Sequence, residues 1–235
     1  MELWQSLLLA VIQGLTEFLP ISSSAHLLLP SGVLGWPDQG LAFDVAVHVG
    51  SLLAVVVYFR HDLQVMARAW LRSLSFGARD GEAPRSDENS RLAWAVLVGT
   101  GPAGLCGLLF VGWIDANLRS VLVFALATFF FGVLLGWADR RGARAAGVSQ
   151  VSLKTAVLIG MAQALALIPG TSRSGITMTA GLLLGLSRQQ ASRFSFLLSI
   201  PLISAAGLLK GIELSAQSEP IPWLPMMLGV LVSSL

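Results

Sequence analysis

Charged residues are scarce in this chain, and their scarcity excludes most soluble classes of protein. Asp, Glu, Lys and Arg make up 12% of the 235 residues, whereas 54% are hydrophobic. A soluble domain carries roughly twice that charged fraction. The net charge of +2 comes from basic residues between apolar runs, so we expect no nucleic-acid-binding face. The composition predicts a protein embedded in a membrane.

Cysteine is also scarce, and the N-terminus lacks the elements of a signal peptide. Cys106 is the single cysteine, which excludes an internal disulfide and a cysteine-based metal site. The N-terminus carries Glu2 and no basic residue before its apolar run, so it is not a cleavable signal peptide. At the other end an apolar run breaks off without a polar flank. We expect a truncated C-terminus and a natural chain that continues.

Several apolar runs are long enough to cross a hydrocarbon core, which takes about 20 residues as a helix. They cover residues 41–59, 92–111, 120–137 and 194–209, with a fifth that begins at about Pro222. Two other apolar pieces, 3–19 and 155–168, each stop at a proline. Pieces too short to span follow them, at 27–34 and 176–186. Each of these two units therefore predicts a re-entrant helix–turn–helix.

Basic residues set the expected orientation. They cluster in the loops after Phe59 and after Trp137: Arg60, Arg68, Arg72, Arg79, Arg85, Arg91, Arg140, Arg141, Arg144 and Lys154. Two spans separate these loops, so both lie on one side, and the positive-inside rule makes that side cytoplasmic. The polar stretch at about 77–90 is predicted to be a cytoplasmic linker. The segments 112–119 and 36–40 are expected outside.

An internal repeat relates the two re-entrant units. QGLTEFLPISSSA, from Gln13, resembles QALALIPGTSRSG, from Gln163, 150 residues later. Three full spans lie between them, and an odd number makes the copies enter from opposite faces. We predict an all-α, polytopic helical membrane protein with inverted repeats, a single membrane domain over 1–235. Repeat 1 covers about 1–60 and repeat 2 about 151–211.

Hydroxyl groups mark the point where each second half-helix is expected to begin. They are Ser22, Ser23 and Ser24 in the first unit, and Thr171, Ser172 and Ser174 in the second. A broken helix leaves unpaired amides and a positive dipole end inside the membrane, which suit a phosphate group. Any one of these serines is more often a simple cap. Two such clusters in repeated copies, one with an arginine, favour a binding site.

Arg173 is the most informative residue. A guanidinium at the membrane midplane costs about 2.5–3.5 kcal/mol, so it needs an anionic partner or a wet cavity. Its planar fork suits bidentate binding of phosphate. The alternative is a structural salt bridge to Glu17.

Glu17 and His26 are the candidate acid–base residues. Glu17 follows Gln13 by four positions, so both project from one helix face. The carboxylate could hold a divalent cation, act as general acid or base, or orient a nucleophile. His26 follows Ser23 by three positions and could be a base, an acid or a nucleophile. His48, four positions after Asp44, either lines the same cavity or forms a structural pair.

The residues resemble a known family. QGLTEFLPISSSAH, from Gln13 to His26, resembles the (E/Q)xxxE segment and serine–histidine loop of the bacitracin-resistance type undecaprenyl pyrophosphate phosphatases. PGTSRSGIT, from Pro169 to Thr177, resembles their PGxSRSxxT motif. We call these the first motif and the second motif. The resemblance implies a bacterial inner-membrane hydrolase that releases phosphate from undecaprenyl pyrophosphate and recycles this carrier for cell-wall synthesis.

The resemblance also implies the site. The catalytic residues would be Glu17, Ser23, His26 and Arg173, and the substrate-binding residues Gln13, Ser22, Ser172, Ser174 and Thr177. A divalent cation, Mg²⁺ or Ca²⁺, would bind at Glu17 with Gln13, where many relatives have glutamate. The site would face outward. Its partners would be a polyprenyl diphosphate and membrane lipid, with no nucleic acid, and a homodimer is left open.

Two questions stay open at the level of sequence. The nucleophile is Ser23, His26 or water, and Ser23 is favoured because it lies nearer the helix start. The alternative function is a polyprenyl-phosphate transporter or flippase, because inverted repeats with broken helices also build transporters. A carrier needs only binding groups, whereas an enzyme needs a nucleophile and a base within reach of one phosphorus atom.

Overall fold

The computed structural model describes residues 2–74, 87–118, 120–142, 150–215 and 223–235. Within these ranges the chain folds into α-helices joined by short connections. They are α1 (Leu3–Thr16), α2 (Ser23–Leu34), α3 (Gly40–Tyr58), α4 (Arg60–Leu74), α5 (Glu88–Asn117), α6 (Val121–Gly142), α7 (Leu153–Ala164), α8 (Arg173–Leu183), α9 (Arg188–Ser215) and α10 (Trp223–Ser233). A single 3₁₀ turn, Leu165–Leu167, extends α7. The protein is an all-α polytopic membrane protein.

Three of the described helices are long and apolar enough to cross a membrane. The spans are Glu88–Phe110, Val121–Gly142 and Arg188–Ser215, and α3 joins them if it counts with α4 as one bent span. Their outer faces are apolar: Val121 is 87% exposed and Phe129 73%. Such surface is stable against lipid rather than water. The helices are longer than the predicted spans because polar residues at both ends are also helical. Most of the segment 112–119, for example, belongs to α5.

The segment after Phe59 is a helix, and our prediction of a loop there was wrong. Helix α4 turns by 77° from α3 and carries Arg60, Arg68 and Arg72. Met66 and Ala69 are buried on one side of it. Basic residues therefore mark an amphipathic helix here, because a polar, arginine-bearing face is as compatible with a helix as with a loop. The predicted linker lies outside the described residues over 77–86, and Glu88–Ser90 begin α5.

Both predicted helix breaks are present. Helix α1 ends before Pro20 and α2 begins at Ser23, while the α7 turn ends before Pro169 and α8 begins at Arg173. Proline ends a helix because its ring excludes the preceding residue from helical geometry. In the second re-entrant unit, Gly170 turns the backbone with a φ of +90°, a value that a residue with a Cβ adopts poorly. Because of these breaks, parts of the first motif and of the second motif lie in irregular backbone between helices.

Two apolar clusters hold the helices around these breaks. One contains buried residues of α3, α5, α6, α7, α8 and α9, among them Phe194, Leu197 and Ile159. The other joins α1, α2 and α3 through Leu9, Leu27, Phe43 and Val47. Helix α5 packs along α7, α6 along α8, and α10 against both α1 and α3. The packing places the end of α1 beside the start of α8.

Candidate functional site

Gln13 and Glu17 lie at the C-terminal end of α1 with their side chains in contact. Gln13 Nε2 donates to Glu17 Oε2 at 2.9 Å. Both side chains are buried, Gln13 completely, and Glu17 is 7% exposed. The predicted common helix face is confirmed, with Glu17 itself as the C-cap of α1. A buried carboxylate requires charge compensation and hydrogen bonds, and its neighbours supply both.

Ser23 occupies the first position of α2 and points back to the end of α1. Its hydroxyl donates to Glu17 Oε2 at 2.6 Å, and Ser23 is 8% exposed. A short hydrogen bond from a hydroxyl to a carboxylate is the geometry of a nucleophile with its base. Five residues of broken helix separate the two in sequence, so the turn at Pro20 is what brings them together.

Arg173, at the start of α8, reaches Glu17 from the second motif. Its Nη2 donates to Glu17 Oε1 at 2.8 Å, while its guanidinium lies 5.8 Å from the ring centre of Phe18. The salt bridge weighed as the alternative is therefore present. It uses only part of the guanidinium fork, because Arg173 Nη1 is buried and has no hydrogen-bond partner among the described residues. This free donor is available to an anion.

The two motifs interlock through further polar contacts. Ser174 Oγ donates to the backbone carbonyl of Leu19 at 2.9 Å, and Ser172 and Ser174 hydroxyls lie 3.1 Å apart. Ser172 caps α8 by accepting from the Gly175 amide at 3.1 Å. Capping, the ordinary role of such a serine, is thus real at Ser172.

Ser22 behaves differently from Ser172. It precedes α2 but makes no side-chain cap, and its φ of 61 is left-handed. Among the described residues it is the one non-glycine with positive φ. Left-handed geometry costs energy for a residue with a Cβ and concentrates at functional sites. Without a side-chain cap from Ser22, the first amides of α2 stay available to a phosphate.

His26 lies one turn into α2 from Ser23. Its Nδ1 is 2.8 Å from the carbonyl of Ser22, which can only accept, so Nδ1 carries the hydrogen. The neutral ring then presents Nε2 as an acceptor, and no partner for Nε2 is present in the described part of the chain. The tautomer suits a base or a nucleophile.

Thr177 differs from the other candidate binding residues. Thr177 is 1% exposed, and its hydroxyl donates within α8 to the Arg173 carbonyl at 2.9 Å, while Ser195 Oγ lies 2.7 Å away. These contacts tie α8 to α9 behind Arg173. Thr177 therefore supports the arginine from behind in this structure, and its role as a binding residue stays a prediction.

His48 and Ser51, on α3, adjoin the candidate site. Ser51 was not predicted there, and for His48 the sequence left open whether it lines the cavity or forms a structural pair. His48 Nε2 is 3.4 Å from Glu17 Oε2, and Ser51 Oγ is 3.5 Å from Gln13 Nε2. The sequence offered one signal, the i, i+4 pair of Asp44 and His48. It could not show that this face of α3 meets the end of α1.

The residues of the site supply enough ligands for a divalent cation only if a bound phosphate supplies the others. Among the described residues no three His, Cys, Asp or Glu side chains form a ligand cluster. Gln13 Oε1, however, is buried without a partner beside the Glu17 carboxylate. Mg²⁺ is commonly held by one or two protein oxygens with the remaining ligands from substrate phosphates and water. The donor set fits that mode.

The arrangement can perform acid–base chemistry on a bound anion. Glu17 joins a hydroxyl and an amide of the first motif, the guanidinium of the second motif and the imidazole of His48 on α3, and free donors and uncapped amides adjoin it. Residues 6–235 match the family model described as bacitracin resistance protein BacA.

Relatives of the chain cover nearly all of it. An undecaprenyl-diphosphatase of Hahella chejuensis is 60% identical over 227 residues, which is 96% of this chain and 82% of that protein. One from Chromohalobacter salexigens is 59% identical over 96% of this chain and 82% of its own length. One from Colwellia psychrerythraea is 56% identical over 99% of this chain and 86% of its own.

Proposed function

Because the chain belongs to the bacitracin resistance protein BacA family, we infer that it is a membrane undecaprenyl-diphosphatase. It hydrolyses undecaprenyl pyrophosphate to undecaprenyl phosphate and inorganic phosphate. The reaction recycles the lipid carrier of cell-wall synthesis, and bacitracin resistance follows from the same activity. Relatives of that name, 53–60% identical to this chain, support the assignment.

A single observation carries the site assignment. Glu17 accepts from Ser23 on one oxygen and from Arg173 on the other, at 2.6 and 2.8 Å. A base, a nucleophile and a phosphate-binding cation thus meet at one buried carboxylate. This is the constellation that phosphoryl transfer requires, since catalysis there consists of positioning and charge stabilisation.

We propose that Ser23 attacks the terminal phosphorus atom. Glu17 Oε2 takes the hydroxyl proton while a bond forms between Ser23 Oγ and phosphorus. The bond from phosphorus to the bridging oxygen breaks, and undecaprenyl phosphate leaves with that oxygen. Arg173 Nη1 and the first amides of α2 bind the phosphoryl oxygens and offset their charge. Attack by a water would instead give phosphate in one step.

His26 serves the second half of the reaction in this scheme. Its Nε2 takes a proton from a water whose oxygen attacks the phosphorus atom of the phosphoserine, and the bond from phosphorus to Ser23 Oγ breaks. Ser23 recovers its hydrogen from Glu17, inorganic phosphate is released, and His26 returns its proton to the solvent. Ser22 and Ser172, beside the two helix starts, supply hydroxyls to the diphosphate. Ser174 donates its hydroxyl to the Leu19 carbonyl and holds the two motifs together, so its role as a binding residue stays a prediction. Glu17 and Gln13 Oε1 are the residues that would hold Mg²⁺ or Ca²⁺, which offsets phosphate charge when bound.

The membrane placement also forms part of the proposal. We place the protein in the bacterial inner membrane with the site facing outward, because the basic residues of α4 and of the segment after Trp137 mark the cytoplasmic side. The polyprenyl tail lies among the apolar helices, and its headgroup reaches the two motifs.

The contacts favour an enzyme over a lipid carrier. A flippase needs groups that bind a lipid phosphate, and it has no use for a serine hydroxyl held 2.6 Å from a buried carboxylate. Such a contact deprotonates a nucleophile. The relatives named as diphosphatases agree with the enzyme.

Phosphate release by the detergent-purified protein tests the function. The wild type should release inorganic phosphate from undecaprenyl pyrophosphate, and Arg173→Lys should lower kcat/KM by about 100-fold or more, roughly 3 kcal/mol. Lysine keeps the charge but loses the planar fork. Arg188→Lys, at an arginine paired with Asp139 away from the site, is the matched control and should retain wild-type kcat/KM.

The outcomes separate the function from the site. A wild type that moves polyprenyl phosphate between leaflets but releases no phosphate would make the protein a carrier. Normal release with Arg173→Lys within a few-fold of wild type would make Arg173 a structural ion and place the site elsewhere.

A further inference from the structure

His48 is a histidine whose contacts the scheme above does not use. It lies in α3, outside both motifs, and its side chain is 31% exposed. Nδ1 is 2.7 Å from the backbone carbonyl of Asp44, one turn earlier. A carbonyl only accepts, so Nδ1 carries the hydrogen and the ring plane is fixed by the helix.

The fixed ring turns its other nitrogen to the catalytic carboxylate. His48 Nε2 is 3.4 Å from Glu17 Oε2, the same oxygen that accepts from Ser23 at 2.6 Å and from Gln13 at 2.9 Å. Ser23 and Gln13 fill the two acceptor sites of that oxygen, and His48 adds a longer contact to it. Since Nδ1 already carries a hydrogen, the contact is attractive in the imidazolium form of the ring, in which Nε2 carries a hydrogen as well.

The two histidines near the site are anchored alike but point to different partners. His26 and His48 each use Nδ1 on the carbonyl four residues earlier. Nε2 of His48 meets Glu17, whereas Nε2 of His26 has no protein partner in the described ranges. His26 is thus free to reach a substrate or a water, and His48 is committed to a protein carboxylate.

We propose that His48 is a positioning residue that holds Glu17 Oε2 toward the hydroxyl of Ser23. This role rests on the proposed diphosphatase function. Glu17 follows the end of α1, where no further helical turn fixes its side chain, and Arg173 draws its other oxygen toward the second motif. A contact from α3 fixes the carboxylate against that pull. Accurate orientation of a base and a nucleophile governs the rate of the chemical step.

Kinetics of His48 variants test the role, with undecaprenyl pyrophosphate as the substrate. In His48→Leu and His48→Met, kcat should fall by about 10–100-fold while KM stays within about threefold, because His48 contacts Glu17 and not phosphate. His48→Gln should recover most of kcat, since its amide can donate to Glu17. His61→Gln, at an exposed histidine of α4, is the matched control and should leave both constants unchanged.

Several results would overturn the proposal. One is a kcat within about twofold of wild type in both apolar variants. Another is a rise in KM in place of a fall in kcat, and a third is a kcat of His48→Gln as low as that of His48→Leu. Loss of monodisperse protein in both apolar variants would assign His48 to folding and overturn it too. Absence of phosphate release by the wild type would instead count against the proposed function.

Discussion

The hydroxyl of Ser23 and the imidazole of His26 lie one helical turn apart on α2, and either group can attack a phosphorus atom. Ser23 donates to Glu17 at 2.6 Å, which activates it, whereas the contact of His26 is with the Ser22 carbonyl. Removing a nucleophile or its base gives similar losses of rate, because such residues act as a unit. Loss of activity alone therefore cannot distinguish them.

The stability of a trapped phosphoenzyme distinguishes them. A phosphoserine ester survives acid and is lost in strong alkali, whereas phosphohistidine is acid-labile. After rapid acid quench with substrate labelled in its terminal phosphate, we expect acid-stable label on the wild type and on His26→Ala, and none on Ser23→Ala. Ser24→Ala, at the exposed neighbour, should keep the label. In a parallel quench with alkaline detergent, acid-labile label that disappears only in His26→Ala would transfer the nucleophilic role to His26.

At the scale of elements, the site depends on how closely α5 and α7 approach. Gly99 and Gly160 face each other across this contact, and a Cβ at Gly160 would collide with the Gly99 backbone carbonyl. Small residues permit such close packing of membrane helices. Helix α7 leads directly into the second motif, so this contact sets where Arg173 begins α8.

Gly160→Ala should destabilise the protein by about 1–3 kcal/mol, because backbone cannot move aside as a flexible side chain does. Thermal unfolding in detergent should show a lower Tm, together with a lower kcat from a displaced Arg173. Gly104→Ala is the control on α5, where a Cβ meets no atom within 4 Å. It should be neutral or slightly stabilising. Equal Tm values for the two variants would contradict the packing.

At the scale of the whole molecule, the orientation decides which side of the membrane the substrate headgroup occupies. Asp38 precedes α3 and Gln150 precedes α7, and both are exposed. If α3 crosses the membrane as α5 and α6 do, three crossings separate the two positions, and we expect them on opposite sides. From the basic residues and the positive-inside rule, we expect the Gln150 side to be cytoplasmic.

Cysteine labelling checks this orientation. In a Cys106→Ala background, Asp38→Cys should react with a membrane-impermeant thiol reagent in intact cells whose outer membrane has been permeabilised. Gln150→Cys should react only after lysis. The Cys106→Ala parent should stay unlabelled in both conditions. Reversed labelling would turn the site toward the cytoplasm and overturn the outward-facing proposal.

The sequence by itself determined the class and the helix breaks, and it named most of the residues that meet at the candidate site. Low charge with long apolar runs predicts spanning helices, because lipid tolerates no unpaired backbone. Pro20 and Pro169 predicted where helices end, since proline ends a helix by local sterics. The pairing of Gln13 with Glu17 followed from helical spacing alone. The inverted relation of the two repeats stays a prediction.

The tertiary structure decided the features that depend on contacts between segments distant in sequence. Arg173 meets Glu17 across 156 positions, and His48 approaches the same carboxylate from α3. Local periodicity carries no information on which helix faces adjoin, so His48 and Ser51 could not be assigned from sequence. The same limit made α4 a loop in our prediction, because whether an arginine-rich amphipathic segment folds as a helix depends on the surface against which it packs.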